Sequence, residues 1–130
     1  MSDSRPTQAF RLAVEAGDHA AMMATISADI SFNTPVYLNP IEDRDVVALL
    51  LEILLETFVE FHYTDEMSGE SGHGLIFRAK VEELELEGLD LLRFDGDGLI
   101  NDFTVMIRPL AALDRLRAIV TESMTQRLGG

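Results

Sequence analysis

The chain runs through two hydrophobic rhythms. Near its start Phe10, Ala13 and Val14 recur at helical spacing over residues 6–16 and stop at Gly17, and Asp18 stands where it caps a second short helix ending at about Ile26. Residues 30–33 alternate apolar and polar as a short strand does, and Thr34-Pro35 ends that strand because proline brings no N–H to a ladder. After a loop to Asp43, Val47, Leu50, Leu51 and Leu54 form a wide apolar stripe on a helix over about 44–57. The rhythm then changes to strands at about 59–67, 75–86, 89–94 and 99–108, separated by glycine-rich turns. Leu113, Leu116, Val120 and Met124 return to helical spacing, so an amphipathic helix closes the chain.

Helices followed by a meander of long antiparallel strands read as α+β, with the helices gathered on one side of a curved sheet. The hairpin register predicts which residues share a face. If Asp95-Gly96-Asp97-Gly98 is a four-residue loop, Phe94 faces Leu99, and Asp90, Leu92 and Phe94 share a face with Leu99, Asn101, Phe103, Val105 and Ile107. Asp90 then lies opposite Phe103. The other face collects Leu89, Leu91, Arg93, Ile100, Asp102, Thr104, Met106 and Arg108. A three-residue loop with a bulge would exchange the two faces. Large apolar side chains on the second face need cover, from the C-terminal helix or from a second subunit, and a homodimer is expected.

Length and charge narrow the picture. A chain of 130 residues suits one domain that buries roughly two thirds of its unfolded surface. Ten Lys plus Arg against 23 Asp plus Glu leave a net charge of -13, which argues against nucleic acid or an anionic membrane as partner and favours a small, neutral one. There is no cysteine for a disulfide or a thiolate metal site, and MSDSRPTQAF lacks the apolar core of a secretory leader, so a cytoplasmic location is expected. No apolar run approaches the roughly 20 residues that cross a bilayer.

Asp90 is the candidate for chemistry. A carboxyl set among Leu92, Phe94 and Phe103 loses hydration, which raises its pKa and keeps it neutral, able to donate a proton or hydrogen bond to a carbonyl, an epoxide or an enolate. The competing reading is a strand-pinning bond to a backbone amide, Tyr63 or Asn101. Tyr63 joins the site if Phe61, Tyr63 and Asp65 point inward; an ordinary half-buried strand aromatic is the alternative. Other features promise less. Asp95-Gly96-Asp97-Gly98 starts like a calcium loop, but Met106 stands at its twelfth position where a glutamate is required. His19, His62 and His73 lack ligand spacing and read as surface residues, His73 in a hairpin. Glu82, Glu83, Glu85 and Glu87 read as a solvated rim at a turn, and Arg108 as a salt-bridge partner of Asp102 or a cap on the sheet edge, with a clamp for an anionic ligand at the pocket rim as the alternative. Neither a metal nor an organic cofactor is expected.

Three segments, EAGDHAAMMATISADISFNTPVY, LDLLRFDGDGLI and FTVMIRPL, together resemble the nuclear-transport-factor-two-like superfamily, in particular its SnoaL-like and ketosteroid-isomerase-like branches, over nearly the whole chain. The resemblance implies a cone-shaped sheet whose concave face and helices enclose a pocket, with the Asp90 face as its wall together with Phe77, Ala79 and Val81 from the preceding strand. The fold hosts isomerases, cyclases, hydrolases and non-catalytic binders. Ketosteroid isomerases of the superfamily use a carboxylate base after the first strand, a tyrosine on the first helix and a protonated aspartic acid on a late strand. Asp90 matches the last of these, whereas Thr34 stands at the base and Phe10 at the tyrosine. Threonine is no general base near neutral pH and phenylalanine donates no hydrogen bond, so steroid isomerisation by that mechanism is not expected. The expectation is a pocket for a small apolar molecule. Asp90 would be its acid or donor, and Phe10, Thr34, Tyr63, Phe77, Leu92, Phe94, Asn101, Phe103, Val105 and Ile107 would line it. A binding or dimerisation module that has lost its chemistry is the alternative.

Overall fold

The computed structural model describes residues 5–129. Helix α1 (Arg5–Glu15) buries Phe10, Ala13 and Val14 on one stripe, and Gly17 turns the chain at a φ of 65°, where glycine is at no steric disadvantage. The Asp18 side chain accepts a hydrogen bond from the Ala21 amide at 3.0 Å and caps α2 (His19–Met23). That helix stops short of Ile26 because the chain from there already runs as β1 (Ile26–Asn33), a longer strand than the alternation alone suggests. Helix α3 (Arg44–Thr57) spans the residues its stripe predicts, with Asp43 accepting from the amides of Asp45 and Val46.

Strands β2 (Phe58–Ser68), β3 (His73–Val81), β4 (Leu84–Phe94) and β5 (Ile100–Arg108) form a meander, and β1 adds to its edge in the order β1-β5-β4-β3-β2. All neighbours are antiparallel except β1 and β5, which run parallel with Phe32 beside Phe103. The architecture is the α+β one expected, with one parallel edge in place of a purely antiparallel sheet.

Two details of the meander correct the sequence reading. The turn between β3 and β4 lies at Glu82 and Glu83, since Val81 pairs with Leu84, and not near Gly88. Glu82 takes a φ of 56°, costly for a side-chain-bearing residue, and Arg115 holds its carboxylate in a two-pronged grip at 2.6 and 2.9 Å. Gly88 sits inside β4 because the Phe77 ring occupies the space of any side chain there: a Cβ would overlap three of its ring carbons.

The second correction concerns register. Asp90 pairs with Val105 and not Phe103, which pairs with Leu92. The loop is one residue longer than four, running from Asp95 to Leu99, with the Asp95 carboxylate accepting from the amides of Asp97 and Leu99. A bulge beside Phe94 takes up the odd residue, so Asp90, Leu92, Phe103 and Val105 keep a common face while Ile100 moves to the core, where it is fully buried.

Helix α4 (Leu110–Gly129) packs against α3 and the sheet, and its Ala112, Leu116, Val120 and Met124 join the same core as Val47, Leu50 and Leu86. It therefore lies with the other helices on the inner face and gives no cover to the outer one. There Ile76, Leu89 and Leu91 are half-buried and Met106 is 51% exposed, framed by ion pairs of Arg93 with Asp102 and of Arg78 and Arg108 with Glu87. Arg108 thus pairs with Glu87 and not Asp102. His73 is buried at the start of β3 and not on a hairpin surface, its Nδ1 3.3 Å from the Ser68 hydroxyl and its ring edge-on to Phe94. No helix among the described residues is long and apolar enough to cross a membrane.

Candidate functional site

Between α1, α3 and the inner face of the sheet lies a cavity of about 260 Å³. Met22, Leu51, Leu54 and Leu55 form its helical wall, and the sheet supplies Phe58, Phe61, Tyr63, Phe77, Asp90, Phe103 and Val105. Val14 to Gly17 line it from the end of α1. The aromatic wall depends on backbone irregularity. A bulge between Val59 and His62, with Glu60 at a φ of 56°, breaks the alternation of β2 and brings Phe58, Phe61 and Tyr63 to the inner side. Phe61 then stacks on Phe77 at 4.9 Å, and Tyr63 stands edge-on to Phe61 at 5.0 Å.

Asp90 lies midway along β4, with Leu75 and Val105 beside it, and is 6% exposed. The Tyr63 hydroxyl donates to its Oδ2 at 2.9 Å, the one hydrogen bond to this side chain among the described residues. Burial pushes the carboxyl up to about 7 against the opposing pull of the Tyr63 bond. The phenol is pushed well above its ordinary value, first by burial and then by the charge of Asp90 and the bond to it, with Glu15 adding to the rise and Arg11 opposing it. Near neutral pH the acid is poised between its two forms. In the neutral form it carries a proton on Oδ1, while Tyr63 holds Oδ2.

Of the residues expected to line the pocket, the fold brings Tyr63, Phe77, Asp90, Phe103 and Val105 together on the cavity. The others lie elsewhere. Phe10 and Leu92 are fully buried core, Phe10 edge-on to Phe103 at 5.3 Å, because the cavity opens nearer the end of α1 than its middle. Thr34 is committed to its own turn, its hydroxyl accepting from the Val36 amide at 3.2 Å. Phe94 covers His73, Asn101 sits beside the β5 bulge, and Ile107 packs opposite Gly88. Asp65 lies exposed beyond a further β2 bulge. Sequence reasoning missed Glu15, Met22, Leu55 and Phe58. Phe58 follows α3 directly, and only the Glu60 bulge turns it inward, a conformation that no residue type there announces.

A wider, open groove of about 770 Å³ runs past the 69–72 and 95–98 loops, but its Asp95 is occupied by loop amides. Among the described residues no three His, Asp or Glu side chains gather as a metal-binding group.

No protein-family model matches the chain, and no curated protein does so either. Solved structures do. An uncharacterised protein conserved in bacteria with a cystatin-like fold, from Silicibacter pomeroyi, is 30% identical, with a TM-score of 0.81 over 95% of this chain and 84% of that one. A steroid delta-isomerase from Pseudomonas aeruginosa is 29% identical, with a TM-score of 0.82 over 97% of this chain and 90% of that one. A SnoaL-like protein of unknown function from Burkholderia thailandensis shares the fold at 12% identity and a TM-score of 0.68, over 79% of this chain and 92% of that one. The chain belongs to the nuclear-transport-factor-two-like superfamily, whose members among these neighbours include ketosteroid-isomerase-like and SnoaL-like proteins.

Proposed function

We propose that the protein binds a small apolar molecule in the Asp90 cavity and acts on it as a cofactor-independent isomerase, cyclase or hydrolase. Asp90 would serve as acid or hydrogen-bond donor. The observation that carries this reading is the buried Asp90–Tyr63 pair: one carboxyl oxygen is held by the phenol and the other has no protein partner among the described residues, in a cavity whose inner wall is apolar and whose mouth carries Glu15. The Tyr63 bond alone is also what a strand-pinning acid would make, so it is the second, unbonded oxygen on the cavity that supports a functional acid. A cavity of this size suits a ligand of one or two rings. The similarity to a steroid delta-isomerase supports a carbonyl-bearing ligand, whereas Phe10 and Thr34 argue against that enzyme chemistry with a tyrosine and a strand-end base. Retention of the cavity for binding alone is the second reading, favoured by the burial of Phe10 in the core and the local bonding of Thr34.

The decisive experiment is a thermal-shift and turnover screen of cyclic ketones, enones and epoxides against the unsubstituted chain and Asp90→Asn. Ligands that stabilise the former are expected to lose about tenfold or more in affinity on substitution, since one charge-capable hydrogen bond is removed. Equal binding and turnover by both proteins would remove Asp90 from any functional role. A homodimer through Leu89, Leu91 and Met106 on the outer sheet face belongs to the same proposal, because this face has no helix over it. Light scattering at micromolar concentration is expected to give a dimer that Leu91→Lys converts to monomer; a monomeric unsubstituted chain would contradict it.

A further inference from the structure

Arg11 stands on α1 with its guanidinium 5.7 Å from the centroid of the Tyr63 ring. Its Nε is 3.3 Å from Glu15 at the cavity mouth, and its Nη1 is 3.7 Å from Glu66 on β2. Gln8, one turn earlier, donates to both oxygens of that same Glu66 at 2.7 and 2.9 Å. These contacts tie α1 to β2 directly over Tyr63, whose hydroxyl bonds Asp90. Surface ion pairs of this kind contribute little to stability alone, and Arg11 is only partly exposed, with a buried aromatic ring beneath it.

We propose that Arg11 is a positioning residue for the acid: lying over the Tyr63 ring and anchored by Glu15 and Glu66, it holds the phenol hydroxyl on Asp90 and strengthens it as a donor. The proposal rests on the reading of Asp90 as the functional acid. The charged groups around the pair are few. Helix α1 presents Arg11 and Glu15 and β2 presents Glu66, whereas α3, β3 and β5 face it with apolar side chains such as Leu51, Leu54, Phe77, Phe103 and Val105. A cation over the ring withdraws charge from the phenol and makes its hydrogen bond to a carboxylate stronger, which favours the ionised acid. Removing the cation therefore moves the titration of Asp90 upward.

The test needs no ligand. Carbon-detected NMR of the Asp90 carboxyl follows its titration in the unsubstituted chain, in Arg11→Met, in Tyr63→Phe and in the double variant. Arg11→Met is expected to raise the midpoint by about 0.4 pH unit, the scale of one cation–π contact. Arg11→Lys, which keeps a charge over the ring, returns it most of the way. In the Tyr63→Phe background the Arg11→Met shift is expected to fall to less than half, because the route through the hydroxyl is gone. An unmoved midpoint in Arg11→Met, with the fold intact by circular dichroism, would reduce Arg11 to a helix clamp. An equal shift with and without the hydroxyl would show that it acts through space and not through Tyr63. Either result overturns the proposal and leaves the ligand assay with Asp90→Asn untouched.

Discussion

Asp90→Asn is expected to make the protein more stable at pH 8 while having little effect at pH 4. Asp90 carries a raised pKa, to about 7 from 3.8, with burial as its first cause. In the folded state it therefore holds a proton through a pH range in which the unfolded chain has released it. The stability this contributes is fully present below about pH 4, declines as pH rises, and is gone above about pH 7, where the fold carries a buried charge. A shift of this size corresponds to about 4 kcal/mol, as an order of magnitude. Asparagine keeps an oxygen for the Tyr63 hydroxyl and has no proton to lose. Urea unfolding of both proteins at pH 4 and pH 8 measures the effect as the change in their difference, which cancels the other 22 of the 23 acidic side chains. A difference that stays constant across the range would mean that Asp90 titrates as an ordinary surface carboxyl, and the neutral-acid reading of the cavity would fall with it. Higher stability together with lost ligand affinity is the trade expected of a residue kept for function.

Gly88→Ala is expected to destabilise the fold by about 2–3 kcal/mol, the cost of forcing an extra carbon into a packed interior. Phe77 is held between Phe58 at 5.8 Å and Phe61 at 4.9 Å, so its ring can yield to an added carbon only by moving into the cavity and giving up those contacts. Shrinking the ring should relieve the conflict. In a Phe77→Leu background the same glycine substitution is expected to cost less than half as much, and the double-mutant cycle in urea gives that coupling directly. Equal costs in both backgrounds would place the penalty in the β4 backbone. Because Phe77 walls the cavity, Gly88→Ala should also weaken any ligand that Asp90 holds.

Much of the fold was legible because it rests on burial rhythm. Helix α3 follows from its leucine stripe and the Asp43 cap, and the common face of Asp90, Leu92, Phe103 and Val105 follows from strand parity, which survived a register error of two residues. The turn between β3 and β4 was hidden because two glutamates make it. Glu82 adopts a conformation usually given to glycine or asparagine, with Arg115 far along the chain beside it. Gly88 drew the turn instead, although it is needed there for the Phe77 ring. In the site, Asp90 was readable from its apolar neighbours, but Phe58, Glu15 and the seat of Arg11 over Tyr63 depend on bulges and on helix placement that periodicity does not encode.

The bulges in β2 have an effect beyond the cavity. In the order β1-β5-β4-β3-β2, the eleven residues of β2 form a free sheet margin, long enough to recruit a strand from another molecule. Register breaks after Val59 and after Tyr63 interrupt its row of outward amides and carbonyls, and charged side chains crowd it: Asp65, Glu60 paired with Lys80, and Glu66 paired with Arg11. The distortion that turns Phe58, Phe61 and Tyr63 toward the cavity thus also spoils the margin as a template, so that shaping the cavity wall and guarding against fibrous self-assembly are served by the same irregular strand.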